Sequence, residues 1–93
     1  MNISILLPYK ENYTYNAAGA VSLFINDILS VSNYKKTTNV YGSTEYKKYL
    51  SSNYKNIKFN KNLLQSANYE YVAKFIKIDE VLNSDLIEVH NRP

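Results

Sequence analysis

Ninety-three residues, 45% of them hydrophobic and 20% charged, have room for one domain and too much apolar surface for a disordered chain. No apolar run nears the roughly 20 residues that span a bilayer, the start lacks the basic stretch and cleavage site of a secretion signal, and without cysteine there is no disulfide framework or thiolate chemistry; the expectation is a cytoplasmic protein. The net charge of +3 comes mostly from scattered lysines, whereas nucleic-acid binders gather theirs on one face, and a single histidine argues against a zinc site.

Residues 3–7 form a short apolar run closed by Pro8, as suits a strand buried on both faces of a parallel sheet. A loop follows, with Asn16 as the expected N-cap. Val21, Phe24, Ile25, Ile28 and Leu29 then recur at helical spacing, with Ser22, Asn26 and Ser30 opposite, predicting a helix over 17–32. Residues 37–41 are rich in β-formers and end at Gly42, a second strand. Residues 43–52 have the spacing of a short helix through Tyr46, Tyr49 and Leu50, against a high density of Ser and Asn. The alternation over 56–60, with Ile57 and Phe59 on one face, predicts a third strand near a sheet edge. Tyr69, Val72, Ala73, Phe75 and Ile76 line a second helix reaching Leu82, and its Glu70 and Lys74 make an ordinary surface pair. Residues 86–90 return to strand character.

Strands alternating with helices predict an α/β fold: a partial Rossmann-like parallel sheet, strand order 3-2-1-4, with helices on both faces. A different small α/β order is the alternative. No internal repeat or linker divides the chain, so 1–93 reads as one partial domain. Strand four would then lie beside strand one with its other edge unpaired, which predicts self-association through Leu86, Ile87 and Val89.

Ligands of doubly wound sheets bind beyond the carboxyl ends of the strands, where the strand order reverses. Lys10, Asn12 and the Ala17-Ala18-Gly19-Ala20 helix entry reach that point from strand one, and His90, Asn91 and Arg92 reach it from strand four. Small residues at a helix start admit an anion to backbone N–H groups, and close packing of helix on sheet explains Gly19 equally well. The three-glycine dinucleotide pattern is absent. His90 could take a proton from a hydroxyl or be a hydrogen-bonded structural residue. Arg92 could fork onto a phosphate or carboxylate, and Glu88, on the face of Leu86 and His90, reads as structural. Thirteen asparagines and ten tyrosines match AT-rich codon usage; a tyrosine platform for stacking bases is the alternative, with no single-strand-binding motif beside it.

The run Asp85-Leu86-Ile87-Glu88-Val89-His90-Asn91-Arg92-Pro93, with the Ile3-Ser4-Ile5-Leu6-Leu7-Pro8 opening and the Gly-Ala helix entry, resembles the bacterial family 4, group 1 glycosyltransferases along the whole chain. Many relatives have paired glycines where this sequence has Ala18-Gly19-Ala20. The resemblance implies the N-terminal, acceptor-side part of a two-domain GT-B enzyme that transfers a sugar from a nucleotide-sugar to a glycan or lipid-linked acceptor in cell-surface polysaccharide synthesis. It implies no metal and no cofactor, the nucleotide-sugar being a co-substrate held mainly by a C-terminal domain, and peripheral membrane association of the full-length enzyme. His90 would be catalytic; Lys10, Ala18, Gly19, Asn91 and Arg92 would contact substrate; the 93-residue part alone would be inactive. A free-standing α/β ligand-binding or regulatory module and a weak nucleic-acid binder are the competing readings.

Overall fold

The computed structural model describes residues 1–15, 17–58 and 67–90, with the backbone alone at 67 and 68. In chain order it has β1 (Ile3–Leu6), α1 (Ala20–Ser30), a 3₁₀ turn (Lys35–Thr37), β2 (Thr38–Gly42), β3 (Tyr54–Asn56), α2 (Ala67–Ile76), α3 (Asp79–Leu82) and β4 (Leu86–Val89). All strand pairs are parallel and the sheet order is β3-β2-β1-β4, as expected. Ile5 lies beside both Val40 and Glu88, so β1 is flanked in register by β2 and β4.

Because side chains alternate across a strand, β1 feeds two cores. Ile5 and Leu7 pack with Ile25 and Leu29 of α1 and with Tyr13, Val40, Leu50 and Tyr54. Leu6 packs on the other face with Tyr41, Ile57, Tyr71, Phe75 and Val81, which brings α2 and α3 to that side. Each fully buried side chain of this kind contributes about 1.5–3 kcal/mol relative to exposure. At the far edge, Leu86, Ile87 and Val89 of β4 are 45–47% exposed, and among the described residues β4 pairs with β1 alone.

Both main helices are turned from their expected orientation. The buried stripe of α1 is Ser22, Ile25 and Leu29, while Phe24 and Ile28 face outward. Two polar contacts fix that rotation: the Ser22 N–H donates to Glu11 and the Tyr13 hydroxyl donates to Asn26 Oδ1 at 3.3 Å. Helix α1 begins at Ala20 with Gly19 as N-cap; Asn16 lies outside the described residues. In α2 the buried residues are Tyr71 and Phe75, whereas Tyr69 and Ile76 are exposed. The Tyr71 hydroxyl donates to the Leu7 carbonyl at 2.6 Å, which draws that face inward.

The expected second helix is two. The last turn of α2 tightens through Lys77 N–H to Lys74 O and Ile78 N–H to Phe75 O, an i→i−3 pattern that ends helices. Ile78 is extended, and Asp79 and Glu80 follow in the first turn of α3, where carboxylates are favoured by the helix dipole. No helix forms over 43–52. There Thr44 Oγ1 accepts from the Tyr46 N–H and Asn56 Oδ1 accepts from the Thr44 N–H, and side chains that satisfy the backbone locally compete with helix formation. Strand β3 sits earlier than the expected 56–60, at Tyr54–Asn56, because Tyr54 supplies the buried ring beside Val40. Ile57 still extends the ladder by donating to the Gly42 carbonyl at 2.7 Å; Phe59 and Asn60 lie outside the described residues.

Burial raises the phenol pKa of Tyr13, Tyr41, Tyr54 and Tyr71 above the ordinary 10.0. A folded-state pKa above the unfolded one contributes stability that is complete below the unfolded value and is lost as pH rises through the folded value. The melting temperature should therefore fall progressively above pH 10.0. A phenolate absorbance titration should show these four among the ten tyrosines ionising only with unfolding. Ionisation of all ten while circular dichroism stays native would contradict it.

Candidate functional site

After β1, the chain turns at Pro8, whose carbonyl accepts from the Glu11 N–H at 3.0 Å. Lys10 sits in the left-handed region at φ 66°, an uncommon conformation for a residue with a Cβ. That turn sends Lys10 outward and Glu11 inward, where Glu11 is only 2% exposed. Glu11 Oε2 accepts from the Ser22 N–H at 2.9 Å, so a carboxylate of the chain itself lies at the positive end of α1, where unpaired amides and the helix dipole favour an anion. Gly19 makes this possible: a Cβ there would come within 2.7 Å of Glu11 Cδ and nearer still to both oxygens. The close approach expected at Gly19 is thus made by Glu11, and Ala18 packs against the α1-side core.

His90 follows β4, and its N–H donates to the Leu6 carbonyl at 2.9 Å, which sets it at the carboxyl end of β1. The side chain is 24% exposed and Nε2 lies 2.9 Å from Glu88 Oε1. Nε2 is buried and makes no hydrogen bond, so the carboxylate approaches it off the hydrogen-bonding direction. Glu88 and His90 stand two apart on a strand and therefore share a face, the signal that pairs them. Asn91 and Arg92 lie outside the described residues. No group of three metal-ligating side chains occurs among the described residues, nor any helix long and apolar enough to cross a membrane.

Two adjoining clefts, about 520 and 500 Å³, open at the carboxyl ends of β1, β2 and β3 and share Tyr9, Ser43, Thr44, Glu45 and Tyr46. Lys47, Tyr49 and Lys58 line the first, Lys10 and Asn12 the second. Lys10 also places its ammonium 5.6 Å from the centre of the Tyr9 ring, within reach of a cation–π attraction. The floor is held by paired amides. The Thr44 N–H donates to Asn56 Oδ1 at 2.9 Å, Asn56 Nδ2 donates to the Thr44 carbonyl at 3.1 Å, and the Thr44 hydroxyl donates to Asn12 Oδ1 at 2.7 Å. Tyr54 also donates to Asn56 Oδ1, at 2.9 Å, and its hydroxyl fills the space beside Gly42 that a Cβ would need. Among the described residues, Lys10 and Asn12 of the loop after β1 line these clefts, while Ala18, Gly19 and His90 do not. Asn12 lies in the loop that sequence reasoning brings to this end of the sheet, and Thr44 and Asn56 are passed over because isolated polar residues in loops carry no period.

Gly19→Ala should cost about 1–3 kcal/mol through overpacking, and Glu11→Ala about 1–3 kcal/mol by leaving a buried amide without its acceptor. Because the methyl group introduced at position 19 would occupy the space that Glu11 vacates, the double variant should cost less than the sum, as denaturant unfolding would measure. Strict additivity would mean that the two residues do not touch. Comparison of the chain with protein-family models, curated proteins and solved structures returns no match.

Proposed function

We propose that the chain is the acceptor-side part of a glycosyltransferase, with His90 as the group that receives the acceptor proton. The observation that supports this reading is the pairing of β1 with β4, parallel and in register from Ile3–Leu86 to Leu6–Val89, which sets His90 beside the loop that leaves β1. In the transfer, an acceptor hydroxyl oxygen bonds to the anomeric carbon of the donor sugar, the bond from that carbon to the nucleoside diphosphate breaks, and the hydroxyl proton passes to the imidazole. Glu88 Oε1, 2.9 Å from Nε2, would pair with the imidazolium that this transfer forms. Donor binding belongs to a second domain, and a cytoplasmic location fits a nucleotide-sugar co-substrate.

The test is turnover of the full gene product with nucleotide-sugar donors. His90→Ala should lower kcat about 100-fold or more, the scale of lost general-base assistance, with the melting temperature little changed. Unchanged turnover, or a reading frame that encodes no donor domain, overturns the proposal. The exposed row of β4 supports pairing of two copies along that edge, and persistent monomers in concentrated solution by ultracentrifugation would count against it.

A free-standing ligand-binding module is the second reading. It is favoured by the two clefts at the carboxyl ends of β1–β3, of about 520 and 500 Å³ and lined by lysine and tyrosine side chains.

A further inference from the structure

The loop between β2 and β3 stands where a crossover helix commonly lies in a parallel sheet, and the bonds of Thr44 with Asn56 and Asn12 hold it in place. That polar framework shapes a cleft rather than closing a core: Lys47 and Lys58 stand on its rim, Lys10 on the adjoining one, and Tyr9 and Tyr46 are common to both. Among the described residues none of the three lysines makes an ion pair, while Glu45 is the single carboxylate in either wall. Unpaired ammonium groups favour phosphate, tyrosine faces favour the flat side of a ring, and the volume matches a small-molecule site.

We infer that this cleft binds a phosphorylated ring compound, the phosphate held by the lysines and the ring laid against Tyr9 and Tyr46. Sugar phosphates and nucleotides share that chemistry. The site shares Lys10 with the transfer reading but does not depend on it, because neither His90 nor Gly19 lines it and the first cleft has Lys47 and Lys58 of its own.

The experiment is a titration of the 93-residue chain, followed by amide NMR, with uridine monophosphate, glucose 1-phosphate, pyrophosphate, uridine and glucose. A phosphorylated ring compound should shift the amides of Tyr46, Lys47 and Lys58 and bind at least about tenfold tighter than its unphosphorylated form and than pyrophosphate, about 1.4 kcal/mol. Uridine monophosphate binding more tightly identifies a nucleotide site, and glucose 1-phosphate a sugar-phosphate site. The Lys47→Ala/Lys58→Ala double variant, at exposed positions, should keep its melting temperature and lose about tenfold in affinity. Shifts elsewhere only, pyrophosphate binding as tightly as the ring compounds, or unchanged affinity in the double variant would each overturn the assignment.

Discussion

β1 is constrained on all four sides at once. Its edges pair with β2 and β4, Ile5 and Leu7 commit one face to the α1 core, and Leu6 commits the other to the α2 and α3 core. A strand in that position tolerates almost no polar side chain, and the exception, Ser4, is buried with its hydroxyl 2.5 Å from that of Ser84. That contact, with the Asp85 N–H donating to the Asn2 carbonyl at 2.8 Å and the Asn2 N–H donating to Asp85 Oδ2 at 2.7 Å, fixes where β4 begins. The position of His90 follows from that start, four strand residues away.

The β2–β3 side is built on a different principle. A helix over residues 43–52 would bury a periodic apolar face; instead a coil is tied down residue by residue. The Leu50 N–H donates to the Tyr13 carbonyl, the Tyr13 and Ser51 hydroxyls meet at 3.1 Å, and Asn53 Nδ2 donates to the Thr38 carbonyl. Tyrosine rings fill the volume. Tyr13 stacks on Tyr54 with ring centres 5.2 Å apart, and Tyr49 tilts against Tyr54 at 4.4 Å. Tyrosine suits such a place because its ring is apolar and its hydroxyl can reach a polar partner at the margin. Codon bias explains an abundance of tyrosine, but not the burial of four of these rings in the two cores.

Continuous apolar runs and their order along the chain carry the topology, which is why β1, β2 and β4 are legible within about a residue and the sheet order follows from crossover rules. Helix faces are less legible. Ser22 looks like a surface residue by polarity and is buried with its hydroxyl unpartnered, while Phe24 looks like core and is exposed; the bond that ties this turn of the helix to Glu11 is made by the Ser22 backbone N–H, which side-chain polarity does not report. Of the candidate site, the pairing that delivers His90 can be read from strand order alone. Glu11 cannot, since its role depends on a left-handed turn at Lys10 and on the room left by a glycine eight positions later.

That carboxylate divides the charge at the carboxyl end of the sheet into two territories. An incoming anion at the start of α1 would have to evict Glu11 and leave a negative side chain homeless in the process. On the β2–β3 side it meets ammonium groups, with the exposed Glu45 as the one carboxylate of the described lining. Electrostatics would thus send negatively charged molecules away from the helix opening that a parallel α/β sheet usually offers them and toward the tethered coil, making Glu11 a door-keeper for a room in which it takes no other part.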